Sequence, residues 1–71
     1  MRGFQEQRVK YFKTILEAIE AERGIKREKL EALLQVELGF RPEKAREYID
    51  TLLKAEKIVE KDGVLYVKGN S

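Results

Sequence analysis

RPEKAREYIDTLLKAEKIVEKDGVLYVK, residues 41–68, carries two hydrophobic periods in one continuous run. Up to Lys54 the apolar residues Ala45, Ile49, Leu52 and Leu53, flanked by Tyr48, recur every three or four positions, which predicts an amphipathic helix. Pro42 suits its first position, where the missing N–H has no intrahelical partner to lose. Beyond it, two β-rich runs flank Asp62 and Gly63, a pair that accepts the positive φ angles of a two-residue type I′ turn. That turn sets the register. Lys61 faces Val64, Glu60 faces Leu65, Val59 faces Tyr66, Ile58 faces Val67 and Lys57 faces Lys68. Ile58, Leu65 and Val67 then share one face with a single charge, Glu60, while Lys57, Val59, Lys61, Val64, Tyr66 and Lys68 share the other. Three lysines are not easily buried, so the first face is expected on the helices and the second in water.

Two more helical patterns lie upstream. The first is expected over about Gln5 to Glu22, with a main apolar stripe of Val9, Phe12, Leu16 and Ile19 and a second of Phe4, Tyr11, Ile15 and Ala18, ending at Gly24. So wide an apolar arc fits a helix that packs on several neighbours; the alternative is a homodimer seam through Phe4, Tyr11 and Ile15. The second helix is expected over about Arg27 to Leu38, with Leu30, Leu33, Leu34 and Leu38 inward and Ile25 stapled onto Leu30. Gly39 ends it, and Phe40 can fold back onto Leu34. Phe12, Leu16, Leu33, Ile49, Leu52 and Ile58 are the expected core.

Seventy-one residues make one small domain, with tails at about 1–4 and 69–71. With neither cysteine nor histidine, disulfides are excluded and a structural zinc site is not expected, so stability must come from packing. Charged residues make up 39% of the chain and asparagine occurs only at Asn70, a bias shared with hyperthermophile proteins. No apolar run is long enough to span a bilayer, and the N-terminus lacks a signal-peptide pattern, so no membrane partner and a cytoplasmic location are expected.

Three helices, a short joint at Gly39, Phe40 and Arg41, and a hairpin turning at Asp62 and Gly63 follow one another from about Val9 to Lys68. In this order the chain resembles the winged helix-turn-helix superfamily, and looks most like the small archaeal winged helices found alone or as terminal modules of replication and transcription proteins. The resemblance implies an α+β winged helix: a three-helix core with a helix-turn-helix and a C-terminal two-stranded antiparallel β-hairpin wing, which a very short extended segment at Ile25 can join. It further implies a duplex DNA-binding regulator or replication accessory, or else a protein-interaction module docking on a larger assembly without touching DNA.

A net charge of only +2 makes the distribution of charge the informative quantity. Three groups stand out. Arg23, Lys26, Arg27 and Lys29 surround the start of the second helix, where cations oppose the helix dipole and Lys26 is a poor cap. Such a start can cradle phosphate, or its cations can pair with Glu20, Glu22 and Glu28. The third helix offers Arg41, Lys44 and Arg46, although its side opposite the core carries Glu43, Glu47 and Asp50 with Lys54 the only base, and acids there repel phosphates. The outer hairpin face offers Lys57, Lys61 and Lys68 beside Tyr66, either to contact a nucleic acid or to keep the edge from pairing with other sheets. DNA contacts are therefore expected from Lys26, Arg27, Arg41, Lys44, Arg46, Lys61 and Tyr66, with Arg27 and Lys61 on phosphates and Lys44 and Arg46 near base edges. Beyond tyrosine, only Thr14, Thr51 and Ser71 carry hydroxyls, and no glycine-rich phosphate loop is present, so neither catalysis nor a cofactor is expected.

Overall fold

In the computed structural model, which describes residues 2–69 with side chains from Gln7 onward, six elements follow in order. They are α1 (Arg2–Ala21), β1 (Ile25–Lys26), α2 (Arg27–Glu37), α3 (Pro42–Lys54), β2 (Ile58–Lys61) and β3 (Val64–Val67). Asn70 and Ser71 lie outside the described residues, as does the side chain of Phe4. The fold is α+β, with three helices packed on one face of an open antiparallel sheet of order β1-β3-β2. The hairpin register is the one its turn dictates, from Ile58 opposite Val67 to Lys61 opposite Val64. Asp62 and Gly63 take φ of 52° and 77°, and beyond the strands Lys68 N–H donates to Lys57 C=O at 2.9 Å.

The very short extended segment expected at Ile25 joins the hairpin as a further strand. Ile25 and Lys26 pair with Leu65 and Val64, so β3 becomes the central strand. The ladder then continues into the helix: the N–H of Arg27, first residue of α2, donates to Gly63 C=O at 2.9 Å. A first-turn N–H that has no acceptor within its own helix is thereby satisfied by the hairpin turn.

The core comprises Ile15, Ile19, Ile25, Leu30, Leu34, Phe40, Ala45, Tyr48, Ile49, Leu52, Ile58 and Leu65, all buried. Phe12, Leu16 and Leu33, assigned to the core by their periodicity, are only half-buried, and Val9 is 63% exposed. The reason lies in the wheel of α1. Its core-facing direction runs between the two apolar stripes, through Ile15 and Ile19, which leaves Val9 about a quarter-turn away. Ile15 is therefore sealed within the monomer rather than offered to a second copy, and of the residues assigned to a dimer seam only Tyr11 remains partly accessible among the described side chains.

Helix ends are closed by two residues with no sequence mark for the role. Arg23 (φ 55°) and Glu56 (φ 60°) adopt left-handed backbone after α1 and α3. In each case paired bonds seal the helix: Gly24 N–H to Ile19 C=O and Arg23 N–H to Glu20 C=O, then Lys57 N–H to Leu52 C=O and Glu56 N–H to Leu53 C=O. At α2, Gly39 (φ 68°) has the role its residue type suggests, and Phe40 N–H reaches Leu34 C=O. Lys68 donates to Glu56 Oε1 at 2.9 Å and holds that carboxyl below its ordinary pKa, chiefly through the hydrogen bond. Since the folded value is the lower one, this pair stabilises at neutral pH and its contribution is lost as pH falls through that lowered value.

A non-glycine residue in the left-handed region costs about 1–2 kcal/mol, and glycine adds about 0.5–1 kcal/mol of unfolded-state entropy. Arg23→Gly is thus expected to raise stability by about 0.5–1 kcal/mol in urea unfolding. A loss of stability would show that the Arg23 side chain contributes more than its backbone costs.

Candidate functional site

Glu60 is the one charge on the inner face of the hairpin, and its partner is Arg27. Arg27 Nη1 lies 3.3 Å from Glu60 Oε1 on β2, Nη2 lies 2.8 Å from Asp50 Oδ1 on α3, and Nε lies 3.3 Å from Glu31 Oε2 one turn along α2. The planar guanidinium has a nitrogen for each carboxylate, a geometry that an ammonium cannot match. The hydrogen bond to Asp50 is the largest influence raising the pKa of Arg27, against a partial desolvation that lowers it. Assigned from sequence to a DNA phosphate, Arg27 is instead committed to three acids of its own fold. The phosphate cradle at the start of α2 is reduced in the same way, because the Arg27 N–H is bonded to Gly63. Lys29, at the same helix start, pairs with Glu22 at 3.3 Å.

Lys26 and Lys61 behave differently. They come from β1 and β2, and both stand opposite Val64, so Lys26, Val64 and Lys61 form one cross-strand row on the outer face. At a strand spacing of about 4.8 Å, the two lysine backbones lie roughly 10 Å apart. Both are exposed, and neither forms an ion pair among the described residues. The next row holds Tyr66 opposite Val59, each 38% exposed. Lys57 continues this surface, whereas Lys68 is held by Glu56.

Arg41 and Lys44 fall elsewhere. Together with Arg8 they line an open cleft of about 670 Å³ between α1 and the start of α3. Its floor is part of an aromatic cluster in which Tyr48 lies 4.8 Å from Phe12, 5.0 Å from Phe40 and 5.9 Å from Tyr11, measured between ring centroids. Lys44 Nζ sits 4.8 Å from the Phe40 centroid and 5.5 Å from that of Tyr11, and the Arg8 guanidinium sits 5.4 Å from that of Tyr48. Cation–π contact thus draws Lys44 toward the rings and away from the outward side of α3. Arg8 occupies the core-facing line of α1 one turn before Tyr11 and Phe12; its spacing was readable, but nothing in the sequence places Tyr48 beneath it.

On α3 itself Arg46 remains exposed, as do Glu43 and Glu47, and none of the three has an ion pair among the described residues. Of the seven residues assigned to DNA, the fold therefore gathers Lys26, Lys61 and Tyr66 on the sheet, places Arg41 and Lys44 in the cleft, leaves Arg46 on α3, and uses Arg27 internally. Among the described residues, no cluster of three or more acids is placed to hold a metal, and no helix is long and apolar enough to cross a membrane. Comparison with protein-family models, curated proteins and solved structures gives no match.

Arg27→Ala would leave Glu31, Asp50 and Glu60 near one another without their shared cation. The expected cost is about 1–2 kcal/mol, between that of an exposed pair and that of a buried charge-assisted bond. Arg27→Lys should recover less than half of it. Denaturant unfolding checks both, and full recovery by lysine would contradict the three-way geometry.

Proposed function

We propose that this chain is a winged-helix DNA-binding module, serving as a transcription regulator or replication accessory, with its principal phosphate contacts on the outer face of the sheet. The observation that carries this reading is the Lys26–Val64–Lys61 row, which brings two unpaired cations from distant points of the sequence onto one surface. The order of elements and the three-stranded sheet support the winged-helix assignment. Arg46 on the exposed side of α3 is the remaining candidate for a base edge, while Arg41 and Lys44 lie in the cleft at the start of that helix.

A second reading is favoured by Glu43 and Glu47, which stand one turn apart on α3 and are both exposed. Two such acids repel a phosphate backbone and suit a basic protein surface instead, which would make the module a docking piece of a larger replication or transcription assembly.

Under the DNA reading, duplex affinity falls steeply with salt, and Lys26→Ala and Lys61→Ala each lower the slope of log K against log salt by about one, for one lost phosphate contact apiece. Glu47→Ala tightens binding by removing repulsion. Fluorescence anisotropy on a duplex at several salt concentrations measures all three. No binding at low salt, or slopes unchanged by either lysine substitution, would rule the DNA reading out in favour of the protein-docking one.

A further inference from the structure

The surface bearing Lys26 and Lys61 also carries an aromatic ring that phosphate binding does not use. We propose that Tyr66 and the cleft beside it form a site for one unpaired nucleobase, so that the module engages DNA where a strand leaves the duplex. This rests on the DNA reading above and names the form of DNA it favours.

Four observations converge. Among the described residues Tyr66 is the one aromatic outside the core cluster, and it stands on the central strand with 38% of its surface exposed. Its ring is seated on backbone: a Cβ added to Gly24 would lie 2.5 Å from Tyr66 Cε1 and 2.8 Å from Cδ1, closer than any side chain tolerates. Gly24 has φ of 110°, so glycine is needed there for conformation as well as space. A ring packed against the Gly24 backbone in this way loses little freedom when a base stacks on its open side.

Beside the ring opens a cleft of about 400 Å³, lined by Ile19, Glu20, Arg23, Gly24, Tyr66 and Val67. That volume falls within the range of about 300–1,000 Å³ typical of small-ligand sites. The tyrosine ring and half-buried Val67 supply the apolar contact, and the neighbouring lysine row attracts phosphate. A strand whose phosphates follow Lys26 and Lys61 therefore reaches the ring with a base to place there. Arg23, fixed by its left-handed backbone at the lip, adds a planar cation on which a base can also lie.

If Tyr66 only covers Gly24 and Val59, its replacement would affect stability and leave the choice of DNA untouched. The two roles separate in an anisotropy experiment comparing a blunt duplex with the same duplex bearing a short oligothymidine overhang. The expected result is about tenfold tighter binding of the overhang form, in line with base–aromatic stacking. Tyr66→Phe keeps that preference. Tyr66→Leu, which retains apolar cover without a π face, abolishes it, so that the overhang and blunt forms bind equally; thermal unfolding of each variant confirms that it is folded. Equal binding of the two DNAs by the wild type, or a preference that survives Tyr66→Leu, would overturn the proposal and leave the duplex reading standing. No binding to either DNA would overturn both.

Discussion

Arg27 ties three elements and the hairpin turn together. Its side chain binds carboxylates on α2, α3 and β2, and its backbone N–H is bonded to the turn between β2 and β3. The start of α2, the middle of α3 and the hairpin are thereby held at one point. Each ion pair alone, at this partial exposure, contributes little; three acids sharing one planar cation, beside a backbone bond already formed, constrain geometry more than they add energy. The core beneath them, from Ile25 and Leu65 to Ile49 and Ile58, supplies the bulk of the stability. Arg27 adds a polar anchor between the sheet and the helices.

Contacts within the fold also engage other cations. Lys29 and Lys68 pair with acids, Arg8 and Lys44 lie over aromatic rings, and Arg27 is internal. A net charge of +2 says little about where a polyanion could bind, but with these five accounted for, Lys26 and Lys61 stand out on a single sheet face. This distribution shifts the proposed DNA surface from the helix starts to the sheet. It also gives the acidic side of α3 a place in either functional reading, as a source of repulsion toward DNA or of attraction toward a basic partner.

What the sequence made legible was local. Asp62 and Gly63 determine a turn, the turn determines the register, and the register separates Ile58 and Leu65 from Val59 and Tyr66 with no tertiary information. The spacing of Ala45, Ile49 and Leu52 did the same for α3. What was not legible depends on distance along the chain. Arg27 finds Asp50 and Glu60 across 23 and 33 residues, and no local pattern pairs them. One clue was present, since a lone acid at Glu60 on an apolar face needs a cation. The strand at Ile25 and Lys26 is two residues long, so the sequence places an extended segment there without saying that it pairs with β3. Left-handed Arg23 and Glu56 carry no compositional mark, because the cost of their conformation is offset by the helix-end bonds they permit. The stripes of α1 misplaced Val9 because a wheel with so wide an apolar arc does not say which of its radii points at the core.

The central claim is that the hairpin turn and the start of α2 form one structural unit through Arg27. Residue-resolved amide hydrogen exchange tests it most directly, because a first-turn N–H has no acceptor inside its own helix and ordinarily exchanges fast. The Arg27 amide is expected to be protected to the same degree as the amides of the β1–β3 ladder, while those of Glu28 and Lys29 exchange rapidly. An Arg27 amide exchanging as fast as its two neighbours would contradict it.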